Sequence, residues 1–492
     1  MMQSNIKFKG VIFVLLILVI NQNTFCQGLD KICPVILQQG NTKADISFVL
    51  TTTDYNFARN RPARYENSIQ IIDVNQPWPP RWFSAMEPDT TMPFPYGQTV
   101  PINASYQNKQ FTYFTVIKVK GPANTVLNKQ GFVICNPNLQ PVDTLMLPNQ
   151  EIEHHELRIA PNGDKIFFVM HDSVVDMRAI HHVEQDSALK LSYENIVITD
   201  AKGKIVFTWD PIKYLGADAQ YPAYFNEKGM MRKPGVHDWG HGNSVCFDYD
   251  GDILYSYKLV GIGKISRKDG HVIWRIDRNN QQPNSYSDTI PFYLQHDFKS
   301  GKDAAGKVFY SFYSNGDAQH KTSIACQFSV KDTLNGVKAF KILKKHTPPT
   351  EIKNSNGLGN YDVEANGNYL INYGAYRADT SNPKTCFEYR DVNNKILSSY
   401  ALYPFATIYR AHKLDGWRPA RPVIKLNGKV LSLEVNYPSI SWYELNSKEQ
   451  IATQVFQGKE FNPSKAGVYC AVVASGFGYA VSEPFNFAGI KK

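Results

Sequence analysis

One structural unit recurs along the chain: an apolar strand, a turn that contains Asn-Gly or Asp-Gly, and a second apolar strand. Three copies are clear, with turn glycines at Gly163, Gly251 and Gly367. Asn-Gly and Asp-Gly are typical of two-residue hairpin turns, in which both central residues take a positive φ. A chain built on this unit is expected to fold as a series of antiparallel hairpins.

A second pair of strands follows the first hairpin and ends near a tryptophan, as in the segments Ile196–Trp209 and Lys264–Trp274. Looser copies occur at Gly131–Asp143, Ile71–Trp82 and Phe387–Tyr400. Successive copies are separated by roughly 40–90 residues, which is the spacing of propeller blades rather than of solenoid turns. With the looser copies the count is about six, in the middle of the range for propellers. The sequence therefore predicts an all-β fold built as a six-bladed β-propeller, with a β-sandwich made of hairpins as the alternative.

The composition agrees with an all-β fold and excludes several functions. Aromatic residues make up 13% of the 492 residues and charged residues 20%, with 32 glycines and 28 prolines; such a composition favours strands and turns over helices. The formal net charge is +9, but no Lys/Arg run is long enough to indicate a nucleic-acid or membrane-surface partner. The cysteines are scattered without a CxxC pair, which argues against zinc-ribbon and thioredoxin-like proteins.

Residues 1–26 are predicted to be a signal peptide. Lys7 and Lys9 precede the apolar run Val11–Ile20, which is about half as long as the ~20 residues needed to span a bilayer. Cleavage after Cys26 leaves an exported protein, periplasmic or secreted. A cell-surface lipoprotein is the less favoured alternative, and it would contact the membrane only through a lipidated Cys26.

The mature chain is predicted to contain two domains. Residues 27–417 hold the propeller, and Pro419–Pro422 is expected to be a linker. Residues 421–492 contain short alternating strands and a tyrosine, Tyr469, near the start of a late strand. This pattern favours a small immunoglobulin-like sandwich.

Alignment of the repeats brings several histidines into register. His155 and Asn243 each lie eight residues before a turn glycine. His296 takes the same position when the Asp-Phe pair after it is aligned with the Glu-Leu pair after His155. His241 lies two residues before Asn243, so in an extended segment both side chains face the same side. We therefore expect these four side chains to surround the mouth of the central channel.

A histidine-lined pocket suits an anion, and neutral imidazole is also a competent nucleophile near neutral pH. Three alternatives stay open from the residues alone. The histidines are structural, or His155, His241 and His296 bind zinc in a metal-dependent hydrolase, or the propeller binds an anion without catalysis.

The same segments resemble the bacterial arylsulfate sulfotransferases. The most specific similarity is His241-Gly-Asn-Ser-Val245 followed by Asp250-Gly-Asp-Ile-Leu254, together with Gln295–Phe298 and His154–Gly163. The resemblance covers residues 40 to 417. It implies a six-bladed propeller that transfers sulfuryl groups from an aryl sulfate donor to a phenol acceptor, with no nucleotide and no other cofactor.

The resemblance also implies roles for individual residues. His296 matches the nucleophile, which becomes N-sulfohistidine. His155, His241 and Asn243 match residues that hold the sulfate oxygens or act on the phenol oxygen. One position departs from the family, because Lys258 replaces an arginine that would bind substrate. Lysine keeps the charge but loses the bidentate fork of arginine.

Other residues have open roles. Asp297 is adjacent to His296 and is a candidate to orient its ring. The aromatic residues Trp239, Tyr255, Tyr257 and Tyr293 either stack on an aryl ring or are ordinary strand aromatics.

Overall fold

The structure is a computed structural model, and it describes residues 28–40, 46–54, 66–86, 102–120, 126–178, 188–220, 231–233, 235–277, 294–316, 322–332, 338–349, 355–376, 384–402, 406–446, 448 and 450–489. The predicted signal peptide and Tyr293 lie outside these residues. The elements whose bounds lie within these residues are 36 β-strands, the short α-helix Pro211–Leu215, and 3-10 turns at Leu29–Lys31 and Ala217–Ala219. The all-β prediction is confirmed. No helix in the described ranges is long and apolar enough to cross a membrane.

In chain order the strands of the first half are β1 (Val35–Gly40), β2 (Ser47–Asp54), β3 (Asn67–Asp73), β4 (Trp82–Met86), β5 (Ile102–Gln107), β6 (Gln110–Lys120), β7 (Val126–Cys135), β8 (Pro141–Leu145), β9 (Ile152–Ile159), β10 (Lys165–Val175), β11 (Leu189–Thr199), β12 (Ile205–Trp209), β13 (Met231–Lys233), β14 (Val236–Asp238), β15 (Gly242–Phe247), β16 (Ile253–Tyr257), β17 (Gly261–Ile265) and β18 (Val272–Asp277). Those of the second half are β19 (Gln295–Lys302), β20 (Val308–Ser314), β21 (Ile324–Asp332), β22 (Lys338–His346), β23 (Ser355–Gly357), β24 (Asn360–Val363), β25 (Tyr369–Asn372), β26 (Ala375–Tyr376), β27 (Lys384–Arg390), β28 (Ile396–Leu402), β29 (Ala406–Leu414), β30 (Ile424–Asn427), β31 (Val430–Leu433), β32 (Ile440–Asn446), β33 (Ile451–Gln457), β34 (Gly467–Ser475), β35 (Gly478–Val481) and β36 (Phe485–Phe487).

The sheets are arranged as a β-propeller. Five of them are separate blades: β5–β8, β9–β14, β15–β18, β19–β22, and β24, β25, β27 and β28 with β1 added at the outer edge. The innermost strands β5, β9, β15, β19 and β24 follow one another around the axis, and β29 lies between β24 and β5. The strands that begin each blade are therefore brought side by side, which is the arrangement that gathers their first residues around one axis.

The prediction of six separate blades was wrong, because five sheets stand alone. In the remaining sector β29 pairs with β2, followed by β3 and β4, so the end of the propeller chain joins its beginning. This four-strand set does not stop at β4. Tyr479 and Ala480 of β35 pair with Phe83 and Trp82 of β4, and a nine-stranded sheet results.

The C-terminal strands accordingly share a hydrophobic core with the propeller. Trp82 of β4 and Trp442 of β32 are both fully buried and belong to the same cluster of apolar side chains. The indole N–H of Trp82 donates to the carbonyl oxygen of Ser475 at 3.0 Å. The linker expected at residues 419–422 contains Arg421, whose guanidinium binds Asp73 of β3 at 3.0 Å. These contacts do not show a separate immunoglobulin-like sandwich. They show C-terminal strands that share a sheet and a core with propeller strands.

The predicted hairpins are present, but their turn type differs from the expectation. At Gly163, Gly251 and Gly367 three loop residues, rather than two, join the strands, and only the glycine has a positive φ, of 87°, 89° and 85°. In the first of them Ala160 N–H donates to Asp164 and Gly163 N–H donates to Ala160. This is a type I turn followed by a left-handed glycine. The dipeptide indicated the turn correctly, because both turn types require glycine at this point.

Candidate active site

The three predicted histidines begin adjacent inner strands. His155 lies in β9, His241 immediately precedes β15, and His296 is the second residue of β19. Strand β15 lies between β9 and β19. His155 and His296 are 5% and 3% exposed, whereas the side chain of His241 is 23% exposed. The sequence alignment of the repeats therefore brought together residues that are neighbours around the axis.

His155 is held by a carboxylate, Glu153, that was not predicted from the sequence. Glu153 Oε1 lies 2.6 Å from Nδ1 of His155 and 2.9 Å from Nδ1 of His154, and the two imidazole rings stack with centroids 4.1 Å apart. Burial alone would raise the pKa of Glu153, but the two imidazoles hold it well below its usual value. Burial lowers the pKa of His155 to about 3, against the opposing effect of Glu153. The pair is thus an ionised carboxylate that accepts from a neutral imidazole.

His241 has a carboxylate partner of its own. Nδ1 of His241 lies 2.5 Å from Oδ2 of Asp238, and its carbonyl oxygen accepts a hydrogen bond from Lys258 N–H at 3.0 Å. The expectation that His241 and Asn243 project together from an extended strand was wrong, since His241 has a left-handed backbone with φ of 54°. Left-handed non-glycine residues store strain and are enriched at functional sites.

His296 is held by neutral groups. Its Nδ1 faces the side-chain oxygen of Asn315 and the carbonyl oxygen of Leu294. Its Nε2 lies 3.3 Å from the backbone nitrogen of Leu358. Burial, and after it the charge of Lys258, lower the pKa of His296 well below its usual value; His155, His241 and Arg410 contribute in the same direction. The ring is therefore a neutral imidazole surrounded by basic groups.

Asn243, predicted to bind substrate, has a structural contact as well. Its fully buried side chain donates an amide hydrogen to the carbonyl oxygen of Gln295, next to His296. Asn103 and Asn360 make the same kind of bond to the neighbouring inner strand, at 2.7 Å and 2.6 Å. Asn243 thus links β15 to β19 through one N–H of its side-chain amide. The same amide group has a second N–H.

Arg410 joins four inner strands, namely its own strand β29 and strands β9, β15 and β19. It is 2% exposed, and its guanidinium binds Glu156 at 2.7 Å, Asp297 at 3.3 Å and the carbonyl oxygen of Asn243 at 2.8 Å. Asp297 also binds Lys299. Because Asp297 is directed to these cations, the group that orients His296 is Asn315 instead.

Five residues of the site were not predicted from the sequence, for two reasons. Glu153 and Asp238 lie two and three residues before a predicted histidine, so a search for local carboxylates would have found them. Asn315 and Arg410 lie in other parts of the chain and carry no local signal. Tyr409 is similar: its ring centroid lies 6.1 Å from that of His155, and its buried hydroxyl has no hydrogen-bond partner among the described residues.

The structure gives limited support to a metal centre. Within the described ranges, the residues whose ligand-type atoms all lie within 4.8 Å of one another are Glu153, His154 and His155. His155, His241 and His296, the zinc ligands of the hydrolase alternative, do not form such a group.

The aromatic residues singled out from the sequence belong to the core. Trp239, Tyr255 and Tyr257 are at most 1% exposed and pack with Trp209 between two blades. The hydroxyl of Tyr257 donates to the carbonyl oxygen of Glu194 at 2.7 Å. Their function is packing.

Solved structures are similar to this chain at low sequence identity, and one family model matches it. The WD40 β-propeller domain of Doa1 is 9% identical, covers 68% of this chain and 71% of its own, and has a TM-score of 0.30. Sucrose-6-phosphate hydrolase from Lactobacillus gasseri is 12% identical, with 78% and 85% covered and a TM-score of 0.26. Among curated proteins nothing matches. The family model described as Arylsulfotransferase (ASST) matches residues 105–410. This match spans more than half of the chain and includes every histidine of the site, and the chain therefore belongs to the arylsulfotransferase family.

Proposed function

We propose that the protein transfers a sulfuryl group from an aryl sulfate to a phenol through a covalent intermediate on His296, without a nucleotide cofactor. Family membership implies aryl sulfotransfer. The observation that supports this mechanism best is that three imidazoles come from adjacent inner strands, two of them bound to carboxylates and the third, His296, held by neutral groups. A neutral imidazole has the lone pair that nucleophilic attack requires.

In the first step, Nε2 of His296 attacks sulfur, the N–S bond forms, and the S–O bond breaks with its electron pair on the departing phenolate. We assign the protonation of that oxygen to His241, because it is the most exposed of the three histidines and its Nδ1 is bound to Asp238. A carboxylate partner stabilises the imidazolium form that can donate a proton.

In the second step, a phenol takes the place of the product. His241 removes its proton, the phenol oxygen attacks sulfur, and the N–S electron pair returns to His296. Each half-reaction releases one product before the other substrate binds, so the kinetics are ping-pong. The same histidine acts as acid and then as base.

Charge on the sulfuryl oxygens needs preorganised donors. Lys258 supplies a cation whose charge acts on His296, and the second amide hydrogen of Asn243 supplies another donor. His155 is neutral in the free enzyme, but a bound anion raises the pKa of an imidazole. We therefore propose that His155 takes up a proton when the sulfate ester binds and then donates to it.

The remaining assignments concern the whole chain. We propose that residues 1–26 are a signal peptide that directs the protein to the periplasm or the exterior. We further propose that residues 421–492 brace the sheet of β29, β2, β3 and β4, because β35 pairs with β4. The hydroxyl of Tyr469 donates to the carbonyl oxygen of Lys465 at 3.1 Å, a contact also made by the tyrosine corner of immunoglobulin-like domains.

The test is to incubate the purified protein with p-nitrophenyl sulfate, with and without phenol, and to measure both p-nitrophenol and phenyl sulfate. Release that depends on phenol and yields equal amounts of both products supports transfer. Release that is equally fast in water alone, with stoichiometric zinc in the protein, would instead support a hydrolase. No release, together with a thermal shift on adding the ester, would support an anion-binding propeller.

A further inference from the structure

The contact between Asn315 and His296 has an orientation that the surrounding hydrogen bonds determine. Asn315 follows β20 and is fully buried. Its side-chain nitrogen donates to the hydroxyl of Ser355 at 3.0 Å and to the carbonyl oxygen of Leu358 at 2.9 Å. A carbonyl oxygen only accepts, so the nitrogen of the amide must face Leu358. The oxygen of the amide is left to face His296.

The protonation of the His296 ring follows from this orientation. An amide oxygen only accepts, so Nδ1 of His296 must carry the hydrogen. The carbonyl oxygen of Leu294, 3.2 Å from the same nitrogen, requires the same. On the other side of the ring, the N–H of Leu358 points to Nε2, which must therefore hold a lone pair. The contacts of Asn315, Leu294 and Leu358 all specify the same tautomer of His296, with the hydrogen on Nδ1.

The partner of His296 also differs in kind from those of the other two histidines. Nδ1 of His155 faces the carboxylate of Glu153, and Nδ1 of His241 faces that of Asp238. A carboxylate stabilises a protonated ring, whereas a neutral amide orients the ring without adding negative charge. The site thus contains two histidines suited to carry charge and one suited to remain neutral.

We propose that Asn315 is the positioning residue that makes His296 the nucleophile, by holding the hydrogen on Nδ1 and leaving the lone pair on Nε2. This inference rests on the proposed function. During attack the Nε2–S bond forms, the aryl oxygen leaves with the S–O electron pair, and the hydrogen on Nδ1 stays in place. The N–H of Leu358, no longer able to donate to Nε2, then donates to a sulfuryl oxygen.

Replacing Asn315 by aspartate is the sharpest test, because the side chains have nearly the same shape and only the charge changes. The charged and titratable groups that lower the pKa of His296 are Lys258, His155, His241 and Arg410, and the negative charge of a carboxylate at 315, in contact with Nδ1, would oppose their effect. Asn315→Asp should therefore raise the pKa of His296 and leave Nε2 protonated at low pH. We expect kcat/KM for p-nitrophenyl sulfate at pH 5.5 to fall about tenfold or more relative to wild type and to recover as the pH rises.

Asn360→Asp is the matched control. Asn360 is also fully buried and also links two inner strands, through the N–H and carbonyl of Ala411, but it does not contact a histidine of the site. A buried carboxylate at 360 should lower the melting temperature without moving the pH profile. A pH profile of Asn315→Asp that overlays the wild-type profile would overturn the proposal. An equal shift of the pH profile in Asn315→Asp and Asn360→Asp would overturn it as well.

A second measurement does not need activity. Nitrogen-15 NMR of the full chain with labelled histidine reports which ring nitrogen carries the hydrogen, and the His296 signals are identified by their loss in His296→Asn. We expect the Nδ1–H form in wild type. In Asn315→Leu we expect a measurable share of the Nε2–H form, because only the longer contacts of Leu294 and Leu358, at 3.2 Å and 3.3 Å, still favour a hydrogen on Nδ1. The Nε2–H form in wild type would refute the role of Asn315. If instead the tautomer is as expected but no sulfuryl transfer occurs, the proposed function fails and the assignment of the ring stands.

Discussion

The imidazole rings of His155 and His241 lie 5.1 Å apart, edge to face at 72°, although 85 residues separate them in the chain. Each ring has its Nδ1 bound to a carboxylate, and in the proposed mechanism the Nε2 edges contact the substrate. The contact joins two blades at their inner strands. Its consequence is that a single anion can meet side chains from several sectors of the propeller.

His296→Asn should abolish phenol-dependent release of p-nitrophenol, with a loss of about a thousandfold or more, because the proposed nucleophile is gone. The melting temperature should stay close to that of wild type. His271→Asn is the control, since His271 is 63% exposed and lies away from the site. Turnover of His296→Asn near the wild-type rate would remove His296 from the mechanism.

Lys258 should determine the affinity for the sulfate donor. Lys258→Met removes a charge that acts on His296, and we expect KM for p-nitrophenyl sulfate to rise about tenfold or more, as for a lost hydrogen bond to a charged group. Lys258→Arg should retain turnover and lower KM, because the guanidinium binds an anion with two parallel hydrogen bonds. Lys268→Met is the control, because Lys268 lies in an exposed turn, and it should leave KM unchanged. An unchanged KM in Lys258→Met would show that this lysine does not bind the donor.

His155 should make the protein less stable in acid. Its pKa is about 3 in the folded protein against 6.5 for the free side chain, so below pH 6.5 the unfolded chain binds a proton that the folded protein does not. The free energy of unfolding should therefore fall as the pH drops from 6.5 toward 3, by up to about 1.4 kcal/mol per pH unit from this residue. Urea unfolding at pH 7, 6 and 5 measures the slope. In His155→Gln the slope should be smaller by that amount, whereas the same change at His271 should leave it unaltered; equal slopes in all three proteins would contradict the pKa assigned to His155.

Arg410→Met should destabilise the whole propeller. The substitution removes a buried cation shared by Glu156 and Asp297 and leaves them with Arg158 and Lys299 as partners. Loss of one partner of a buried pair costs up to about 3–5 kcal/mol. Urea unfolding followed by tryptophan fluorescence gives the free energy. Arg178→Met removes an exposed ion pair with Asp176 and should leave the midpoint unchanged, because exposed pairs contribute little. A similar small change in Arg410→Met would mean that the axial network is not needed for stability.

A chain that ends at residue 420 should fold poorly. Removal of the C-terminal strands takes away the partner strand of β4 and uncovers Trp82, which is fully buried in the shared core. An exposed apolar strand edge also favours aggregation. Soluble yield and melting temperature are the measurements. A truncated protein that melts at the wild-type temperature would show that residues 421–492 are an independent module after all.

Local sequence patterns were sufficient to predict the hairpins and to identify the three histidines of the site. The turn glycines have the positive φ that their neighbours avoid, and strand alternation is visible in single segments, so the blades could be found from the sequence. His155, His241 and His296 could be aligned because each lies near the start of an inner strand. The turn type was wrong because both kinds of turn accept Asn-Gly and Asp-Gly, and the blade count was wrong because the strand that follows β4 in its sheet is β35.

By itself, then, the sequence determined the class of fold, the repeating hairpins and the three imidazoles, since these depend on residues close together in the chain. Only the tertiary structure decided that Asn315 binds His296, that Arg410 joins four inner strands, and that residues 421–492 extend the sheet of β2–β4. Those contacts join segments from different parts of the chain. No periodicity or spacing encodes them, because they form only when ring closure has brought the strands together.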